Sequence, residues 1–302
     1  MPAWNDIKST IVDNLGLFVF WYLSLLRYLP FVTFFSLTVA SIYIFKRLKY
    51  RDKISTKPYT LGRLSAVFFL TVAATYIGVN VYDLIIIIYM DHSIPREDAV
   101  ARLRFLLRPD HIAIESFIKY FFITVSPTLL IRKMKDRDIW SSIYAPLKTS
   151  RRKAVLLGAA YTVSYLFIVF AVSYLIVQTS YVLPERKEIM TVANVTRALY
   201  ASSPFLALLF PAVIIPMAAI GEEQLFRGII YTYIRELVGV KYSLVVSAML
   251  FAVYHEISFF TFFYFLAGIL LARLYEKTGS IYPSIIVHAT ILTISLLLGL
   301  IF

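Results

Sequence analysis

Apolar runs of about 20 residues, the length of a helix that crosses a bilayer, recur along most of this 302-residue chain. Strands of a membrane barrel are half as long and alternate in polarity, so these continuous runs exclude that architecture. Hydrophobic residues make up 60% of the sequence and charged residues only 16%, far more apolar surface than a soluble domain needs. The chain is therefore read as all-α, a polytopic transmembrane helical bundle of about eight helices, integral and multi-pass in the lipid bilayer.

Helical spans are expected near 14–45, 63–90, 111–132, 153–178, 204–234, 242–257, 259–276 and 281–302. Arg27 and Pro30 interrupt the first, leaving one long helix and an interfacial helix before a span as alternatives. The loop 46–63 carries Lys46, Arg47, Lys49, Arg51, Lys53, Lys57 and Arg63 against Asp52. The loop 132–153 is equally basic, with Arg132, Lys133, Lys135, Arg137, Lys148, Arg151, Arg152 and Lys153. Positive loops stay on the cytoplasmic side, so both are placed there, and the balanced segments 91–110 and 179–203 are placed outside. This pattern also accounts for the net charge of +12. No basic module interleaved with aromatics accompanies the charge, so a nucleic-acid partner is not expected.

The chain has no cysteine, which removes disulfides, thiolate metal sites and a cysteine nucleophile. It opens on the polar Asn5-Asp6-Ile7-Lys8 segment, which does not read as a cleavable signal. Residues 1–200 are read as amino-terminal transmembrane helices with basic cytoplasmic loops, and 201–302 as the helical core that carries the chemistry. Asn194-Val195-Thr196 matches a glycosylation acceptor, a triplet that also arises often by chance.

The costliest residues stand in Gly221-Glu222-Glu223-Gln224-Leu225-Phe226-Arg227-Gly228. Ionisable groups at membrane depth cost a few kcal/mol each and are kept for pairing or function. Glu223 and Arg227 are four apart and stack on one helical face, where they neutralise each other. Glu222 points about 100° away and lacks that partner. A carboxylate without a cation in a poorly solvated pocket is a candidate general base toward water. The alternative is that both carboxylates cap a helix at the membrane edge.

Two histidines downstream, His255 and His288, also lie in apolar runs. Phe251, one turn before His255, can pack on the imidazole, and His288 follows the turn Gly279-Ser280-Ile281-Tyr282-Pro283 by about two turns. Either could be a structural hydrogen-bond partner alone; with Glu222 they suggest hydrolysis. Asp83 and Asn80 in the second span offer an ion path instead, as transporters use. Glu115 and Lys119 read as a structural pair, and His92 and His111 as solvated.

These residues resemble the CPBP intramembrane proteases, which include the CAAX prenyl endopeptidases of Ras-converting type and the Abi immunity proteins. The resemblance covers roughly 204–302. It rests on Glu222, Glu223 and Arg227, then Phe251 and His255, then Phe265-Leu266-Ala267-Gly268, Thr278-Gly279-Ser280-Ile281, Pro283 and His288. It implies that Glu222 and His255 activate a water and that His288 helps hold the oxyanion, with Glu223, Arg227 and Phe251 in support. The family's asparagine four residues after the last histidine is Leu292 here, and losing an oxyanion donor typically costs about 100- to 1,000-fold in rate. Thr290 and Thr293 are the neighbouring hydroxyls. No cofactor is expected. Zinc on Glu222, Glu223, His255 and His288 is the alternative, although His255-Glu256 is not followed by a second histidine in reach.

One geometric condition attaches to this reading. Glu222 falls about 27 Å from Pro204 along its helix, whereas His255 falls about 20 Å from the cytoplasmic end of its own. The two meet only if the fifth span continues to about Arg235, or if the sixth and seventh fall short of a full crossing. The expected function is an intramembrane endopeptidase acting on a membrane-associated protein or peptide substrate, prenylated CAAX ends included, from a cavity open to the cytoplasm. A catalytically weak scaffold or immunity-type binder is the alternative, and a transporter using Asp83 the third.

Overall fold

The computed structural model describes residues 58–95, 98, 101, 105, 108–133, 144–178, 192–255 and 261–301. The expected span at 14–45 lies outside them. The described elements are all helical: α1 (Pro58–Ser93), α2 (Pro109–Lys133), α3 (Arg151–Gln178), α4 (Val192–Ser202), α5 (Pro204–Val238), α6 (Val240–His255), α7 (Thr261–Thr278) and α8 (Ile281–Ile301). Five of them are long and apolar enough to cross a bilayer: α1, α2, α3, α5 and α8.

Proline sets several helix starts. Pro58, Pro109 and Pro204 each occupy a first helical position, where the missing N–H costs nothing. Ser203 caps α5, its hydroxyl accepting from the Leu206 N–H at 3.3 Å. α4 was not expected from the sequence, which reads 179–203 as an external loop. Its 11 residues are too short to span, and it folds because Ala193, Thr196 and Leu199 recur at helical spacing and bury one stripe. The Asn194 triplet therefore sits in a helix, with Thr196 buried and its hydroxyl donated to the Val192 carbonyl at 2.7 Å.

Helices in lipid gain little from burying apolar faces against each other, so close backbone approach and polar contacts hold them. The α6–α7 crossing shows this. A Cβ added to Gly268 would lie 2.8 Å from the Ala248 Cα, and the small residues Ala248, Ala252, Ala267 and Ala272 of these two helices are all buried. A Cβ on Gly221 would likewise meet Thr124 Oγ1 at 2.7 Å, which brings α5 against α2 just before the two glutamates. Thr124 adds a hydrogen bond to the Met217 carbonyl at 2.8 Å. The large side chains Phe167, Phe170 and Val163 on α3 face outward, as a lipid-facing surface does. We expect Gly268→Val to force α6 and α7 apart and to cost about 1–3 kcal/mol, read as a lowered unfolding temperature in detergent.

Both geometric conditions for the site are met together. α5 continues through Arg235 to Val238, which puts Glu222 near its middle. α6, at 16 residues, is only about 24 Å long, short of the roughly 30 Å apolar core of a bilayer. The beginning of α8 lies against the 144–150 loop, where the Lys148 N–H donates to the Thr278 carbonyl at 2.8 Å. The far end of α8 lies against α4, with Arg197 donating to the Gly299 carbonyl. The basic loop and the segment expected outside thus sit at opposite ends of one helix. His288, seven residues into α8, lies about 10 Å from the basic end.

Candidate active site

Within α5, residues 224–231 widen into a π-helical turn directly after the two glutamates. Such wide turns are rare and occur mostly at functional sites. The Thr232 hydroxyl helps close it, donating to the Arg227 carbonyl at 3.0 Å. Across it, Arg227 Nη1 donates to Glu223 Oε1 at 2.8 Å, both side chains being buried. Arg227 Nη2 reaches the Gly268 carbonyl at 3.2 Å. The same close crossing that requires a glycine there thus exposes a backbone acceptor to the guanidinium.

Phe251 on α6 organises the rest. Its ring lies 4.5 Å from the Arg227 guanidinium, 4.3 Å from the His255 ring and 5.8 Å from the His288 ring. A cation over an aromatic face is attracted by the ring quadrupole, most when water is excluded. On its other face His255 stacks on Tyr264 of α7, with centroids 4.5 Å apart. Tyr264 carries no local signal of this contact, because residues 256–260 separate it from His255 and no helical spacing links them.

The histidines are oriented through their Nδ1 atoms. His255 Nδ1 lies 2.9 Å from the Phe251 carbonyl, which can only accept, so Nδ1 carries the proton. His288 Nδ1 lies 2.9 Å from Glu223 Oε1, the oxygen that also receives Arg227, so it too is the donor. Both rings therefore turn Nε2 toward Glu222. His255 Nε2 is 3.2 Å from Glu222 Oε2 and His288 Nε2 is 3.7 Å from it. The 3.2 Å approach is close, yet no hydrogen bond satisfies Glu222 Oε2. With Nδ1 protonated, a neutral His255 offers only a lone pair at Nε2, so two acceptors face each other. A water beside the pair can give one O–H to each of them.

Glu222, Glu223, Arg227 and His288 are buried, and His255 is the most open of the set, its side chain 17% exposed. The structure thus brings Glu222, Glu223, Arg227, Phe251, His255 and His288 into one cluster built from α5, α6 and α8. Glu222 is not solitary, as the sequence suggested; imidazoles flank it in place of a guanidinium. Among the described residues no group of three or more His, Asp or Glu side chains is arranged to hold a metal. Leu292 is half-buried one turn beyond His288. Thr290 and Thr293 face outward, each donating its hydroxyl to its own helix at 2.8 Å, to Ile286 and Ala289. Neither stands in for an amide at 292.

Residues 203–294 match the family described as type II CAAX prenyl endopeptidase Rce1-like. This part of the chain is similar to that family. The Rce1-like segment begins one residue before α5 and ends within α8, so it contains every residue of the cluster. With five helices able to cross a bilayer, the chain is a multi-pass integral membrane protein, and its last third is similar to a CAAX-protease family. No curated protein and no solved structure matches the chain.

The remaining sequence candidates lie elsewhere. Asp83 is half-buried on α1, and Asn80 Nδ2 there donates to the Tyr76 carbonyl at 2.7 Å. His92 is exposed, but His111 is not the solvated residue the sequence suggested. Its ring sits edge-on 4.7 Å from Phe105, with Nδ1 buried, because the helix start at Pro109 turns it inward. Lys119, read as half of a structural pair, holds its ammonium 5.3 Å from the Tyr254 ring beside the site. Its position at mid-span was the available signal, since a lysine there is a functional candidate by default.

Proposed function

We propose that the protein is an intramembrane endopeptidase that uses Glu222 and His255 to activate water against a peptide bond of a membrane-associated substrate. The observation that carries this reading is the convergence of two imidazole Nε2 atoms on Glu222 Oε2 inside the Rce1-like segment. Glu222 takes a proton from the water while His255 Nε2 accepts its second hydrogen bond and aims the oxygen. The hydroxide adds to the scissile carbonyl, and the proton held on Glu222 then passes to the departing amine as the C–N bond breaks. His288 faces the same space; a proton received at Nε2 makes it a donor to the oxyanion, while Glu223 and Arg227 fix its ring. None of these steps calls on a cofactor.

The family description directs the choice of substrate toward prenylated CAAX ends. The test is cleavage of matched prenylated and unprenylated peptides by the purified chain, native against Glu222→Ala, with and without a chelator. Glu222-dependent cleavage that persists under chelation supports the reading; cleavage abolished by chelation moves it to a metalloenzyme. A folded chain that cleaves nothing supports the alternative of a binding protein, which Leu292 favours by withholding a donor. The endopeptidase reading also makes a directional prediction at that position. Leu292→Asn is expected to raise kcat by about 100-fold, the usual worth of an oxyanion donor, measured on the same peptides.

A further inference from the structure

A second polar group lies outside the cluster, toward the basic end of the bundle. Tyr231, the last residue of the π-helical turn, donates its hydroxyl to Glu276 Oε2 on α7 at 2.7 Å. Arg235 Nη1, one turn further along α5, donates to the same oxygen at 3.0 Å. The neighbouring residues repeat the contact. The Thr232 hydroxyl, already donated to the Arg227 carbonyl, receives the Tyr275 hydroxyl at 3.4 Å. The exit of the turn is thus tied to α7 by two adjoining pairs of side chains. Glu276 stands eight residues beyond Gly268, about 12 Å along α7, and the hydrolytic steps do not use it.

The π-helical turn is the element with two arrangements. Its hydrogen bonds reach one residue further than those of an α-helix, and such turns are rare. Dropping back to α geometry shifts the register by one residue, which is about 100° of rotation. Arg227 stands halfway through residues 224–231, so the direction of its guanidinium follows the width of the turn. That guanidinium holds Glu223 Oε1 at 2.8 Å, and the same oxygen receives His288 Nδ1 at 2.9 Å. A continuous set of contacts therefore runs from α7 to the imidazole. Glu276 fixes Tyr231, the wide turn aims Arg227, and Arg227 with Glu223 aims His288.

We propose that Glu276 is a positioning residue: through the Tyr231 hydroxyl it holds residues 224–231 in the wide turn and so sets the orientation of the His288 ring. Its carboxylate is partly exposed, so the register of a buried cluster is set from near the surface of the bundle. Arg235 balances the charge of that carboxylate and keeps its oxygen in place for the phenol. The consequence for rate rests on the endopeptidase reading, whereas the effect on the ring stands apart from it.

The experiment follows the His288 Nδ1–H by NMR in the full chain, carrying isotope-labelled histidine, in lipid nanodiscs. The chain has four histidines, and the His288 signal is the one missing from a His288→Gln chain. Tyr231→Phe keeps the ring and removes only the hydroxyl. It and Glu276→Ala should each shift or abolish the His288 signal. Glu276→Gln should keep it, because the amide oxygen still accepts from the phenol. On a cleaved peptide, Tyr231→Phe and Glu276→Ala should lower kcat by about 10- to 100-fold with KM near native, the cost of a small misplacement. Glu276→Gln should restore most of that rate. An unchanged His288 signal in folded Tyr231→Phe overturns the proposal, and this milder variant decides alone if Glu276→Ala does not fold. A signal lost in Glu276→Gln as fully as in Glu276→Ala overturns it as well. A signal that responds as expected in a chain that cleaves nothing upholds this proposal and removes the hydrolytic reading. Glu222-dependent cleavage with an unmoved His288 signal does the reverse.

Discussion

Glu222→Ala is expected to lower kcat by about 1,000-fold with little change in KM, within the range that a positioned general base contributes. The size follows from what surrounds the carboxylate. Glu222 is buried, with no guanidinium on it, and the histidines that face it have already committed Nδ1 to other acceptors. Their Nε2 atoms are assigned to aiming the water and holding the oxyanion, which leaves the carboxylate as the base. His255→Ala should cost nearly as much, because the imidazole and the carboxylate act on one water. Residues that work as a unit lose far less than the sum of their single effects when removed together. The double variant Glu222→Ala, His255→Ala is therefore expected within about ten-fold of either single variant. Losses that multiply in the double variant would mean that the two groups act at separate steps, and the shared-water mechanism would fail. The measurement is single-turnover cleavage by the four proteins, each checked for an unchanged melting profile.

The spans were legible because length and apolar continuity are enough to call a membrane helix, and prolines at 109 and 204 mark where two of them begin. Spacing alone also suggested the Glu223–Arg227 contact, since an i,i+4 pair meets on almost any helical turn. What the sequence does not carry is anything set by the packing of one helix on another. The Gly268 carbonyl under Arg227 depends on how closely α6 and α7 cross, and Tyr264 reaches His255 only through that crossing. The π-helical turn at 224–231 has no composition of its own to announce it. α4 was missed for a different reason: hydropathy averaged over a span hides an 11-residue helix whose apolar stripe is one face wide.

Arg227→Met is expected to be the most destabilising single change in the cluster, by about 3–5 kcal/mol, the usual cost of stranding one partner of a buried ion pair. Three contacts go at once: the 2.8 Å bond to Glu223, the 3.2 Å bond to the Gly268 carbonyl and the seat on the Phe251 ring. The last two are modest, and a methionine refills part of the volume. The larger cost comes from Glu223, whose Oε1 would keep only His288 while its Oε2 already lacks a hydrogen-bond partner. A carboxylate so exposed inside a membrane protein has no solvent to fall back on. Neutralising it should therefore rescue the fold: Glu223→Gln added to Arg227→Met is expected to recover more than half of the lost stability. The amide oxygen can still accept from His288 Nδ1, so the ring keeps its orientation. Thermal unfolding in detergent of the native chain, both single variants and the pair decides the matter. If the double variant were no more stable than Arg227→Met alone, the stranded charge would not be the cause. The role of Arg227 would then be to tie α5 to α7 through Gly268 rather than to balance Glu223.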